Sequence, residues 1–130
     1  MSKKIIVIDD SETVRQQLRE AVVRAGYQVV EAADGLEGLD VIRAHEDAVL
    51  ALCDVSMPRM NGLEFLQHLR ADPDLHDEVV FVLTTSDSET DRERAYHANV
   101  AGYMVKSMVG PQFSKLAQLV QCYRTTMLFP

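Results

Sequence analysis

Ala51-Leu52-Cys53-Asp54-Val55-Ser56-Met57-Pro58 is an apolar run that stops on a carboxylate and then turns. A strand ending there lifts Asp54 out of a buried sheet and offers it to whatever binds at the sheet's edge. Two other apolar runs end in chemistry the same way. Ile5-Ile6-Val7-Ile8 runs into Asp9-Asp10, and residues 79–83 run into Thr84-Thr85. A fourth segment, Gly102 to Val105, delivers Lys106.

Helical patterns separate these runs. Val14, Leu18, Ala21 and Ala25 recur at helical spacing, and Gly26 marks a carboxyl-terminal cap. Residues 27–32 read as the second strand and Asp34-Gly35 as a turn; Leu36, Leu39 and Ile42 form the second helical stripe. Asn61, with Glu64 three residues on, has the form of a capping box in which Asn replaces Ser or Thr, and Leu63, Leu66 and Leu69 follow. Phe113, Leu116, Val120 and Tyr123 mark a last helix. The alternation predicts an α/β fold: a flavodoxin-like, doubly wound parallel sheet of five strands, covered on both faces by five helices. The first, third and fourth strands are almost wholly apolar and belong inside. The second carries Gln28 and Glu31 and the fifth is short, so both are edges. The order is then 2-1-3-4-5, with the binding crevice at the carboxyl ends of the strands. The fourth helix, residues 88–96, has almost no apolar stripe. It reads either as the element easiest to move or as a plain solvated helix.

The 130 residues read as one domain, 1–130, with 125–130 as a short tail. A net charge of −7 argues against a nucleic-acid surface, which needs clustered Lys and Arg. No apolar run approaches the roughly 20 residues of a membrane span, and Met1-Ser2-Lys3-Lys4 passes straight into a strand without a signal-peptide core. Two distant cysteines, Cys53 and Cys122, point to a reduced, cytoplasmic protein, with Cys53 a buried thiol. His45, His68, His76 and His97 form no i, i+4 pair and read as surface imidazoles rather than zinc ligands.

Three acids, a hydroxyl and an amine at strand ends are the parts of a phospho-aspartate site. Phosphoryl transfer needs positioning and charge neutralisation more than covalent help. Asp54 is the candidate nucleophile. Asp9 and Asp10 supply an acidic pocket for a cation such as magnesium, which favours oxygen ligands and retains waters. Lys106 adds a positive charge to one phosphoryl oxygen and Thr84 a hydroxyl donor to another. Each residue also has a plain reading: Asp9 or Asp10 as a helix cap, Asp54 as a turn residue, Thr84 as an ordinary strand residue, Lys106 as a snorkelling edge lysine. Capping does not explain the set, because converging carboxylates without a cation repel.

Ile8-Asp9-Asp10-Ser11, Asp34-Gly35, residues 54–62, Leu83-Thr84-Thr85-Ser86 and residues 102–106 together closely resemble bacterial response-regulator receiver domains, and the resemblance covers essentially the whole chain. It implies that a sensor histidine kinase phosphorylates Asp54 with magnesium present, manganese being a possible substitute. The implied ligands are the side chains of Asp10 and Asp54 and the backbone carbonyl of Ser56, with Asp9 acting through water. The implied switch draws Thr84 toward the phosphate and turns Tyr103 inward, reshaping the face of the fourth helix, fifth strand and fifth helix. Phosphorylation and dephosphorylation are then self-catalysed, and the chain is a phospho-acceptor rather than an enzyme. Ser56 and Ser86 are small and flank the entry of hydrolytic water. The family usually has proline after the lysine, often following a cis peptide; here Ser107 takes that place, and the expectation is that Lys106-Ser107 is nonetheless cis. Residues 83–86, Lys106-Ser107 and the apolar end Met127-Leu128-Phe129-Pro130 look like stand-alone, chemotaxis-regulator-like members paired with bacteriophytochromes.

With no appended DNA-binding domain expected, output must be a protein contact with a downstream target. Leu119, Cys122, Met127, Leu128 and Phe129 form an apolar surplus that either makes a homodimer surface or folds back on the chain's own core. Rival readings fit less well. A phosphatase with an aspartyl intermediate wants Asp-x-Asp on its first strand, and a flavin carrier would find Asp9-Asp10 repelling its phosphate. A docking or dimerisation module independent of phosphorylation remains the alternative.

Overall fold

Runs rich in Val, Ile and Leu take the extended conformation that suits branched side chains on a pleated surface. The computed structural model describes residues 3–85 and 88–108, with Leu116 and Gln118 beyond them. Among the described residues, five parallel strands, β1 (Lys4–Ile8), β2 (Gln28–Ala32), β3 (Ala48–Cys53), β4 (Val80–Thr84) and β5 (Gly102–Val105), alternate with four helices, α1 (Glu12–Arg24), α2 (Gly35–Ala44), α3 (Gly62–Ala71) and α4 (Glu89–His97). The sheet order is β2-β1-β3-β4-β5, as the strand compositions predict. Register positions the site. Ile8 is level with Cys53, so Asp9 and Asp54 leave the sheet side by side. Thr84 is level with Val105, so Lys106 emerges one residue beyond it.

The two-residue period of each strand divides the core. Ile6, Ile8, Ala51, Cys53, Val80 and Val82 face Leu39 and Ile42 of α2 and Phe65, Leu66 and Leu69 of α3. Ile5, Val7, Leu50, Leu52 and Leu83 face Leu18, Ala21 and Val22 of α1, and Leu116. Leu116 is fully buried. The rest of the predicted fifth helix (Phe113, Val120, Tyr123) and the tail 125–130 lie outside the described residues.

The helix ends refine the sequence reading. Ser11, not Asp9 or Asp10, caps α1, its Oγ accepting from the Val14 N–H at 3.2 Å. Ala25 ends that helix and Gly26 follows at φ 96°, a left-handed conformation glycine tolerates. Asp34 is the N-cap of α2 rather than part of a free turn, accepting from the Glu37 N–H at 3.0 Å. Leu36 is 42% exposed: at the start of α2 its side chain faces solvent, although it keeps step with Leu39 and Ile42. The Asn61/Glu64 capping box is present in both halves.

Helix α4 buries only Ala95, is capped at its start by Ser88, and is followed by Ala98 and Asn99. Beside its C-terminal end the Arg70 guanidinium donates to the carbonyls of Ala98 (2.7 Å) and Asn99 (3.1 Å), and it also donates to those of His76 (2.7 Å) and Glu78 (2.7 Å) in the segment before β4. Among the described residues no helix is long and apolar enough to cross a membrane.

Candidate functional site

The carboxyl ends of β1 and β3 bring Asp9, Asp10 and Asp54 together, with a carboxylate oxygen from each within 4.8 Å of the others. Asp9 and Asp54 are buried, while Asp10 is exposed. The Asp54 backbone is anchored by its N–H to the Ile8 carbonyl (2.9 Å), and its Oδ1 accepts from the Val55 N–H at 2.7 Å. This leaves Oδ2 facing Lys106, whose Nζ lies 3.3 Å away. The same ammonium donates to Asp9 Oδ2 at 2.7 Å, while Asp9 Oδ1 accepts from the Ser11 N–H at 2.9 Å. Lys106 reaches both acids from a short 3-10 turn, Lys106–Met108, that directly follows β5.

Charge explains the arrangement. Burial raises the Asp9 pKa above the ordinary carboxylate range, against the lowering effect of Lys106 and the Ser11 N–H. Burial works against the Lys106 charge too, yet the hydrogen bond it donates to Asp9 and the charge of Asp54 outweigh it and raise the pKa. With all groups ionised, three carboxylates against one ammonium leave two negative charges uncompensated. That deficit and the hard oxygen donors fit a divalent cation of the magnesium or manganese kind. The residues present therefore fit the metal that the sequence implies.

The predicted site residues fall at this edge, with differences in detail. Thr84 is fully buried at the end of β4. Tyr103 on β5 is half-buried and packs against the α2/α3 side of the core. Ser56 is exposed, in a cleft it lines with Asp10, Met57, Asn61, Asp91 and Arg94. Ser86 lies outside the described residues. The expected cis peptide at Lys106-Ser107 is absent: no peptide among the described residues is cis. With Ser107 in place of proline, the cis form loses the tertiary amide that makes it accessible and costs roughly 2.5–4 kcal/mol. Lys106 reaches Asp9 and Asp54 without it. Cys53 is buried as expected, burial raising its thiol pKa far above the ordinary value.

Several residues that shape the site were given no role of their own by the sequence reading. Arg15 of α1 donates to the Asp9 carbonyl at 2.6 Å and pairs with Glu31 of β2 at 3.3 Å, bracing the acidic loop. Arg59 pairs with the buried Asp34 across 25 residues of sequence, its Nε–Oδ2 distance being 2.7 Å. Gly62 brings α3 against the back of the acceptor, its N–H donating to the Val55 carbonyl at 2.8 Å. Only the Gly62 approach had a hint, from its place beside the Asn61 cap.

Comparison with known proteins agrees with this geometry. The chain is 34% identical over 113 residues to a chemotaxis protein CheY homolog of Campylobacter jejuni, covering 86% of each. The phosphorylated cyanobacterial phytochrome response regulator RcpA superposes with a TM-score of 0.87 at 27% identity, over 100% of this chain and 99% of RcpA. The Mn(2+)-bound response regulator Rcp1 gives 0.82 at 27% identity, over 98% and 99%. The response regulator receiver domain model matches residues 5–120, and the chain therefore belongs to the receiver domains of two-component response regulators.

Proposed function

We propose that this chain accepts a phosphoryl group on Asp54 from the phosphohistidine of a sensor kinase, in a magnesium-dependent reaction, and signals through its fourth helix, fifth strand and fifth helix. The observation that carries the reading is the convergence of Asp9, Asp10, Asp54 and Lys106 at one sheet edge, with Lys106 spanning two of the acids. Asp9, Asp10, Asp54 and the Ser56 carbonyl would hold the cation, Asp9 through water. Bound there, magnesium neutralises the repulsion between the acceptor carboxylate and the phosphoryl oxygens.

The chain's own groups do the rest. The Val55 N–H fixes the rotation of the Asp54 carboxylate, so one oxygen is aimed outward as nucleophile. An oxygen–phosphorus bond forms as the phosphorus–nitrogen bond of the donor breaks, and the imidazole leaves with the electron pair and takes up a proton. Lys106 shifts its hydrogen bond from the Asp54 carboxylate to a phosphoryl oxygen, and the Thr84 hydroxyl donates to another. Moving Thr84 vacates space into which Tyr103 turns. Helix α4, which buries one side chain, follows at small energetic cost. Small Ser56 leaves room for the water that later hydrolyses the acyl phosphate.

The likeness to RcpA makes a bacteriophytochrome the sensor class of choice. A cytoplasmic protein that docks a downstream protein, or a second copy of itself through the switched face and tail, completes the reading. Incubation with acetyl phosphate and magnesium followed by intact-mass measurement tests it. Addition of one phosphoryl group is expected, absent in Asp54→Asn and absent with EDTA. Equal addition in Asp54→Asn would falsify the acceptor assignment, and a response of the target without any phosphorylation would favour the docking module.

A further inference from the structure

The loop joining β3 to α3 carries Ser56, and its geometry is fixed at two places. At its base the Gly62 N–H donates to the Val55 carbonyl at 2.8 Å. At its tip Arg59 adopts φ 62°, a left-handed conformation that a long side chain takes only when its surroundings hold it there. Its charged partners are the N-cap and the first turn of α2. Arg59 Nε donates to Asp34 Oδ2 at 2.7 Å, and its Nη2 lies 3.5 Å from Glu37 Oε2. The Gly35 N–H donates to the Met60 carbonyl at 3.0 Å, and a Cβ on Gly35 would sit 2.8 Å from that oxygen, so the two loops touch backbone to backbone. Asp34 is itself buried and immobilised as the α2 N-cap.

We infer that Arg59 is a positioning residue for metal binding: its latch to Asp34 holds the loop in the one conformation that presents the Ser56 carbonyl to the dication. The inference rests on the reading above that the acidic site takes a divalent cation and that Ser56 contributes a backbone ligand. A carbonyl ligand is placed by its loop and not by a rotamer, so an anchor outside the site is the means by which the chain can control it. Arg59 itself is more than half exposed and touches none of the three acids among the contacts described.

The latch makes a prediction opposite in sign to ordinary electrostatics. As a mere surface cation near an acidic site, Arg59 would repel a dication, and its removal would tighten binding. As a latch, its removal loosens the loop and weakens binding. Mg2+ affinity is measured by isothermal titration calorimetry for the full chain, Arg59→Gly, Asp34→Asn and the double variant. Glycine relieves the left-handed backbone, so loss of fold does not confound the result, and a melting curve in EDTA checks this. Each single variant is expected to weaken Mg2+ binding by about three- to tenfold, with the double variant no weaker than the worse single, as for one shared interaction. Affinity unchanged or tighter in Arg59→Gly, or fully additive losses in the double variant, would overturn the latch while leaving the metal site standing. An unsubstituted chain that binds no Mg2+ would overturn both.

Discussion

Gly62→Ala isolates how closely the acceptor is packed. A Cβ on Gly62 would stand 2.0 Å from the Asp54 carbonyl oxygen, 2.9 Å from its carbon and 3.0 Å from the Val55 Cα. All three are backbone atoms, so no rotamer change relieves the contact. Reaching a tolerable separation of about 3.2 Å or more requires roughly 1 Å of movement between α3 and the end of β3. Overpacking of this kind costs up to about 3 kcal/mol, and stretching the Gly62–Val55 hydrogen bond adds about 1 kcal/mol. Better helix propensity returns up to about 1 kcal/mol. The net loss is about 3 kcal/mol, or roughly 10–15 °C in melting temperature for a chain of this size. Gly26→Ala is the control: its Cβ would meet nothing within 4 Å, and only the φ of 96° opposes it. That substitution should cost about 1–2 kcal/mol and leave phosphorylation by acetyl phosphate intact. Calorimetric melts of both variants, with phosphorylation rates alongside, are the assay. A Gly62→Ala variant melting within about 2 °C of the parent, or above Gly26→Ala, would refute the packing argument.

Arg70→Ala should cost about 2–3 kcal/mol, because it strips donors from four carbonyls. Amide exchange should rise at residues 96–100 well before it rises in β1 or β3; uniform exchange would contradict a local clamp. Mg2+ at about 100 times its dissociation constant should stabilise the chain by about 2.7 kcal/mol. EDTA and Asp10→Asn should each remove that increment, and a melting shift that survives both would place the ion elsewhere. Acid unfolding tests Asp34. Burial raises its pKa, but the Glu37 N–H and the Arg59 guanidinium outweigh it and leave it below the ordinary value. The folded pKa being the lower one, this stabilisation is complete above an unfolded pKa of about 3.9 and is lost as pH falls through the folded value. Asp34→Asn should therefore flatten the loss of stability below about pH 4; an acid limb as steep as the parent's would count against the ion pair.

The sequence alone determined the order of the described elements, the strand order and the set of candidate site residues. These follow from local rules: apolar runs make strands, their composition separates interior from edge, and chemistry follows each strand's last residue. Asp9, Asp10, Asp54, Thr84 and Lys106 were legible because each is the punctuation of such a run. The same logic found the Asn61/Glu64 box and the poorly anchored α4.

What only the tertiary structure decided is how distant segments meet. Ser107 stands where proline would favour a cis peptide, and a cis bond was expected nonetheless, but the route of the backbone out of β5 lets Lys106 reach both acids through a trans bond. Asp34 read as a turn residue, and Arg59 had no partner assigned to it. Their pairing exists because α2 and the β3–α3 loop lie against each other, which no pattern within either segment encodes. Arg15 on the Asp9 carbonyl and Arg70 on four others are of the same kind: a backbone acceptor leaves no mark in the sequence. Periodicity reports which face of an element is buried, whereas the partners of a charged side chain depend on packing between elements far apart in the chain.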